Sequence, residues 1–155
     1  MEKIPLLALG TWKSPKDKVT EAVRYAVEEA GYRHTDRASD YGNEPEIGVA
    51  IKDLLSRGVV KREELWITAK LWNQNHHAED DEVEYRQTLK DLQIDYIDLY
   101  IMHWPLSFQK MDGEYFPKDK DGNIGFKQVL WAPIKGRLCF FEGTGRGRQD
   151  ELRTI

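Results

Sequence analysis

An α/β fold, in which helices pack along a parallel sheet, follows from three features of the sequence. Segments with helical and with strand-like patterns alternate up to about residue 103. The helical segments run about 12 to 16 residues, the length that separates strands in βαβ units. The segments between them are short and rich in apolar and aromatic residues, as strands buried on both faces are.

Lys3–Leu9 opens the chain as a predicted strand and leads into Gly10-Thr11-Trp12. Ser14-Pro15 then predicts a helix start, with a hydroxyl to accept an orphan amide and a ring whose dihedral is already helical. Val19, Ala22, Val23, Ala26, Val27 and Ala30 follow at i, i+3, i+4, i+7, i+8 and i+11, a one-sided helix that stops at Gly31. Tyr32–Asp36 is the second strand. A second helix begins at about Pro45, with Ile47, Ala50, Ile51, Leu54 and Leu55 on one face and Gly58 beyond its end. Leu65–Lys70 is the third strand. The third helix, from about Glu79 to Asp91, has a weaker stripe of Tyr85, Leu89 and Leu92, and Asp80-Asp81-Glu82-Val83 interrupts it. Ile97–His103 is the fourth strand. From Ser107 to Phe126 the chain is polar and turn-rich, a long loop.

Composition bounds the function classes. The 155 residues suit one domain; 40% are apolar and 32% charged, and the net charge is −4. A mixed, weakly acidic surface offers nothing to nucleic acid or to an anionic membrane. The apolar stretch Ile4–Leu9 is too short for a signal peptide or a spanning helix. A single cysteine, Cys139, excludes an internal disulfide framework and fits a reducing compartment such as the cytoplasm. Charge also divides the chain. Residues 127–155 carry six basic and three acidic groups, +3, whereas residues 1–126 carry 17 basic and 24 acidic groups, −7. Two segments are therefore expected, 1–126 and an irregular tail, 127–155.

The polar residues at the strand ends have a shared chemical logic. The second strand ends at Asp36, with Tyr41 five residues on in a loop closed by Gly42-Asn43-Glu44; the third ends at Lys70 and the fourth at His103. In a parallel barrel these ends open onto one face, where reactive side chains collect. A lysine cation about 4 Å from a phenol in a partly screened site favours the phenolate by about 4 kcal/mol. An aspartate beside the lysine keeps the ammonium charged, and a histidine can donate to a carbonyl oxygen and hold it. None of these is a strong nucleophile and no metal-ligand set is present. Such a group suits protonation of an oxygen as it gains charge, the need of carbonyl reduction when a cofactor delivers hydride.

Each feature also has a purely structural explanation. Asp36 and Lys70 can be a buried ion pair, His103 a core histidine, and Trp12, Trp72 and Trp104 core aromatics. His76-His77 lacks the spacing of a helical metal pair. Gly143–Arg148 has neither GxGxxG spacing nor a P-loop lysine, and its basic run is too short for RNA.

Three motifs lift the functional alternative. Gly31-Tyr32-Arg33-His34, Asp36, Ala38, Tyr41-Gly42-Asn43-Glu44 and Ile47-Gly48 form the first, Trp66–Asn73 the second, and Leu92–Pro105 the third. Together they resemble the aldo-keto reductase family, in its aldose-reductase-like branch, over residues 4 to about 126. The resemblance implies a TIM-type (β/α)8 barrel, here about its first four strands and three helices. It implies NADPH as hydride donor and small aldehydes or ketones as substrates. Residue by residue, it implies Tyr41 as general acid, Lys70 as the residue that tunes it, Asp36 as partner of Lys70, and His103 as the group that orients the carbonyl. Gly10, Thr11 and Trp12, with Asp36, Lys70 and His103, would line the cofactor. Trp12, Trp72 and Trp104, with Tyr41 and His103, would contact substrate.

The sequence departs from the family at Thr35, where an aliphatic residue is usual, and at Arg37, where a small one is. Arg37, adjacent to Asp36, is expected to compete with Lys70 for the carboxylate. Barrels of this type need about 250 residues. The serine-asparagine pair that holds the carboxamide, and the residues that bind the adenosine phosphate, have no counterpart here. The tail from Trp131 resembles sequence from another reading frame or an unspliced segment. An alternative to an enzyme is therefore a catalytically silent fragment, or an interaction module whose open barrel edges self-associate or take up another chain.

Overall fold

The computed structural model describes residues 4–111 and 115–123. Strand and helix alternate as β1 (Leu9–Gly10), α1 (Lys16–Glu28), β2 (His34–Asp36), α2 (Glu44–Ser56), β3 (Trp66–Leu71), α3 (Ala78–Leu92) and β4 (Leu99–Met102). Short 3-10 turns lie at Ser39–Tyr41 and Arg62–Glu64. All neighbouring strands are parallel, in the order β1-β2-β3-β4. This is the expected α/β architecture, the strand-helix succession that opens a (β/α)8 barrel.

Alternation along β3 sorts the sheet into two faces. Ile67, Ala69 and Leu71 are buried and join the core formed with Val19, Val23 and Val27 of α1 and Ile47, Ala50, Ile51 and Leu54 of α2. Trp66 and Lys70, on the other face, are less completely buried. The register His34↔Trp66 and Asp36↔Thr68 places His34 and Asp36 beside that polar face. The chain therefore presents an apolar face to its helices and a polar face inward.

The elements differ from expectation mostly at their ends. Only Leu9–Gly10 of the opening segment pairs as strand, and Ile4, Leu6 and Leu7 are exposed. Ser14 does not cap α1. Pro15 is the cap residue, its carbonyl accepting from Lys18 N and Val19 N at 2.9 Å, so the Ser14 hydroxyl lies one position too far out. The buried stripe of α1 is narrower than its apolar pattern, because Ala22 is exposed and Ala30 lies beyond the helix end. On α3 the inward face carries Glu84 and Thr88, both buried, with Leu92, while Val83 is exposed. No glycine ends this helix. Gln93 adopts the left-handed conformation at φ 56°, and Ile94 N reaches Leu89 O at 3.2 Å. The expected divide between residues 126 and 127, and the tail with Cys139, lie outside the described residues.

Gly48 sets how closely α2 and α3 approach. A Cβ built there would fall 2.1 Å from the carbonyl oxygen of Asp91 and 2.8 Å from the Leu92 backbone. Helix propensity alone favours alanine over glycine by about 1 kcal/mol, but forcing two backbones apart costs about 3 kcal/mol. The clash dominates. Gly48→Ala is expected to destabilise the fold by about 2 kcal/mol, read as a lower urea midpoint; an unchanged or higher midpoint would show that the helices part freely.

Candidate active site

The site lies just past the C-terminal ends of the strands. Asp36 ends β2 and Lys70 is the penultimate residue of β3, and the parallel register brings them together. Lys70 Nζ lies 2.8 Å from both carboxylate oxygens of Asp36. It also donates to Arg37 O at 3.0 Å and to Tyr41 Oη at 3.3 Å. Tyr41 reaches this point because the chain turns through Ser39–Tyr41 and is reversed by Gly42 at φ 66°, where a side chain would be strained. His103, one residue beyond β4, has its backbone N–H bonded to Leu71 O at 3.0 Å. Its ring stands edge-on to Tyr41, centroids 5.7 Å apart, and to Trp72 at 5.4 Å. Asp36, Tyr41, Lys70 and His103 thus converge.

The residues expected on the cofactor side are tied to β2 and to the start of α2. Thr11 is buried, and both its backbone N–H and its hydroxyl donate to Asp36 O, at 3.1 and 3.2 Å. Asn43 Nδ2 donates to Thr11 O at 3.0 Å and to Ser14 O at 3.2 Å, fastening the β1 loop to the start of α2. Gly10 faces open space. Of the three tryptophans, Trp72 and Trp104 pack together and Trp12 stands apart. Trp72 is buried, donates through Nε1 to Tyr115 O at 3.0 Å, and packs on Trp104 at 5.9 Å. Trp12 makes no ring contact with either; it is 65% exposed beneath the ammonium of Lys13. Phe108 and Phe116 complete the cluster around Trp72, and sequence patterning missed them because they come from irregular chain.

Arg37 does not compete for Asp36. Adjacent residues at a strand end point to opposite faces, so its side chain is driven into the helix layer, where it is fully buried. Its Nε lies 3.5 Å from Glu44 Oε1, and none of its nitrogens makes a hydrogen bond. Burial pulls the guanidinium down to about 10, against the pull of Glu44. Burial likewise pushes the Glu44 carboxyl up, with Arg37 opposing.

Two acids that sequence patterning missed stand behind the site. Glu84 of α3 accepts from Ser39 Oγ, from Asn75 Nδ2 and from Trp72 N, and burial raises its carboxyl. Asp40 lies against His103, with Oδ1 3.1 Å from Nδ1. Nothing in the spacing marks either acid: Glu84 falls in an acidic run and Asp40 in a turn, where a solvated carboxylate is the ordinary expectation. His76, of the pair that lacks metal-ligand spacing, is half-buried with Nδ1 2.9 Å from Ser107 Oγ.

A parallel strand-helix sheet with an ammonium, a carboxylate, a phenol and an imidazole gathered at its strand ends is the arrangement of the α/β-barrel class, whose sites lie at the C-terminal face. The aldo/keto reductase family model matches residues 6–112, and the chain belongs to that family. It is 55% identical over 124 residues to human aldo-keto reductase family 1 member A1, and 52% identical over 126 residues to the Gallus gallus protein of that name. Those matches cover 79% and 81% of this chain but 38% of each relative, so the chain spans about two fifths of their length. Among solved structures it is similar to the aldose reductases of Giardia lamblia (TM-score 0.78, 43% identity) and Schistosoma japonicum (TM-score 0.77, 42% identity). Each match covers 83% of this chain, and 43% and 42% of those chains respectively. The four strands and three helices are thus part of a (β/α)8 barrel.

The Arg37–Glu44 pair is a stability test of the layer behind the site. Removing one member of a buried pair costs about 3–5 kcal/mol, while replacing both by neutral groups is often neutral or stabilising. Arg37→Met alone is expected to lower the urea midpoint, and Arg37→Met with Glu44→Gln to restore or exceed it. Equal losses in both would show that Glu44 left without Arg37 carries no penalty.

Proposed function

We propose that this chain carries the proton-donating half of a carbonyl-reducing site, acting on small aldehydes or ketones in the cytoplasm with NADPH. The observation that carries this proposal is the position of Lys70 Nζ, bonded at once to Asp36 and to Tyr41 Oη. Tyr41 donates its phenolic proton to the carbonyl oxygen as that oxygen gains charge. Lys70 stabilises the oxygen left negative on Tyr41, and Asp36 keeps the ammonium charged and in place. His103 donates a hydrogen bond to the carbonyl oxygen and orients it, and Trp72 and Trp104 exclude water from one side.

The residues present fit the nicotinamide end of the cofactor. Gly10 opens onto free space, and Thr11 and Trp12 flank it beside Asp36. The flat ring would lie against Gly10, Thr11 and Trp12, close to Asp36, Lys70 and His103. When bound, the coenzyme supplies the hydride. Residues 1–126 form the family portion of the chain in this proposal, with 127–155 a separate tail.

A silent fragment or interaction module is the second reading. Among the described residues β1 pairs only with β2 and β4 only with β3, so each leaves an edge that another copy or another chain can cover. Among those residues, too, no helix is long and apolar enough to cross a membrane.

NADPH consumption with a small aldehyde separates the two. Wild type is expected to turn over, and Tyr41→Phe to lose about 10²- to 10⁴-fold in kcat, the usual worth of a positioned acid. No turnover by wild type would leave the second reading in its place.

A further inference from the structure

Resting on that proposed role for His103, a nearby carboxyl gains a function. The Nδ1 atom of His103 and the Oδ1 atom of Asp40 are 3.1 Å apart. Both atoms are buried, and among the described residues neither has another hydrogen-bond partner. We propose that Asp40 is a positioning residue: its carboxyl decides which nitrogen of His103 carries the proton, and so whether the ring can donate to a carbonyl oxygen.

Burial, and then the Lys70 cation, hold the His103 imidazolium below its ordinary range, while Asp36 opposes. The ring is therefore neutral near pH 7 and carries one N–H. Asp40 as a carboxylate can only accept. It draws that proton onto Nδ1 and leaves Nε2 an acceptor, the wrong polarity for a carbonyl oxygen. Asp40 as a carboxylic acid donates to Nδ1, and the ring proton then resides on Nε2, where it can bond a carbonyl.

Burial pushes the Asp40 carboxyl up to about 6. Its own backbone N–H and Lys70 of β3 oppose the rise, and Glu84 of α3 adds to it. Asp36 at the end of β2 and the Tyr41 phenol complete the titratable groups around the pair. A raised acid is protonated below its folded-state value and loses the proton as pH climbs through it. An Nε2–H able to bond a carbonyl is therefore favoured as pH falls through about 6 and is lost above it.

The test is a pH titration of the full chain by nitrogen-15 NMR, which distinguishes Nδ1–H from Nε2–H without requiring turnover. In wild type, His103 is expected to pass from Nε2–H to Nδ1–H as pH rises through about 6. In Asp40→Asn the amide N–H₂ can donate to Nδ1 at every pH, and Nε2–H should persist to pH 8. Where the chain turns over, wild-type kcat/KM for the aldehyde should fall by up to about tenfold per pH unit above 6, and the Asp40→Asn profile should be flat over that range. A wild-type tautomer that ignores pH overturns the inference, and it does so without the variant should Asp40→Asn fail to fold. A tautomer switch in a chain that reduces no carbonyl supports the inference and counts against the proposed function. Tyr41-dependent turnover with a fixed tautomer does the reverse.

Discussion

A mostly buried ammonium needs its charge matched and its hydrogens accepted, and Lys70 finds both only because β3 lies parallel to β2 in one register. Its partners are the Asp36 carboxylate, the Arg37 carbonyl and the Tyr41 hydroxyl, all from β2 or the turn that follows it. A slip of one residue would turn Lys70 into the apolar helix layer and bring Ala69 or Leu71 to the polar face. The register is held in turn by Ile67, Ala69 and Leu71, which are buried against α1 and α2. The hydrophobic core and the ion pair at the strand ends are thus two consequences of the same alternation.

That alternation also explains the least comfortable residue in the fold. Asp36 reaches Lys70 because it points inward, so Arg37 must point outward into the helices. There it meets Glu44 at 3.5 Å and has no hydrogen bond. Other surroundings of the site are more fully satisfied. Glu84 takes three donors, from Ser39, Asn75 and the Trp72 backbone, and so fastens α3 to the segment that carries Tyr41 and to the end of β3. A carboxylate with three donors in a buried layer orients its neighbours more than it strengthens the fold.

The helix and strand succession was largely legible because it rests on local periodicity. The buried face of α2 falls on Ile47, Ala50, Ile51 and Leu54, where the pattern puts it. Errors gathered where tertiary contact overrides local preference. Leu6 and Leu7 have strand composition but, among the described residues, no partner strand beside them, and Glu84 and Thr88 lie inward on α3 where hydrogen bonds are available to them. Ser14 loses its capping role to Pro15, a shift of one residue that composition cannot resolve.

For the site, the sequence by itself determined the identity of the convergent groups, since Asp36, Tyr41, Lys70 and His103 all follow predicted strands and the geometry of a parallel sheet collects such positions on one face. It also determined the family, through three motifs at compatible spacing. Tertiary structure alone decided what those groups meet. It turned Arg37 away from Asp36, separated Trp12 from Trp72 and Trp104, and set Asp40 against His103. Each of these depends on the direction of a side chain relative to a residue distant in sequence, and direction of that kind is fixed by packing, which no local pattern encodes.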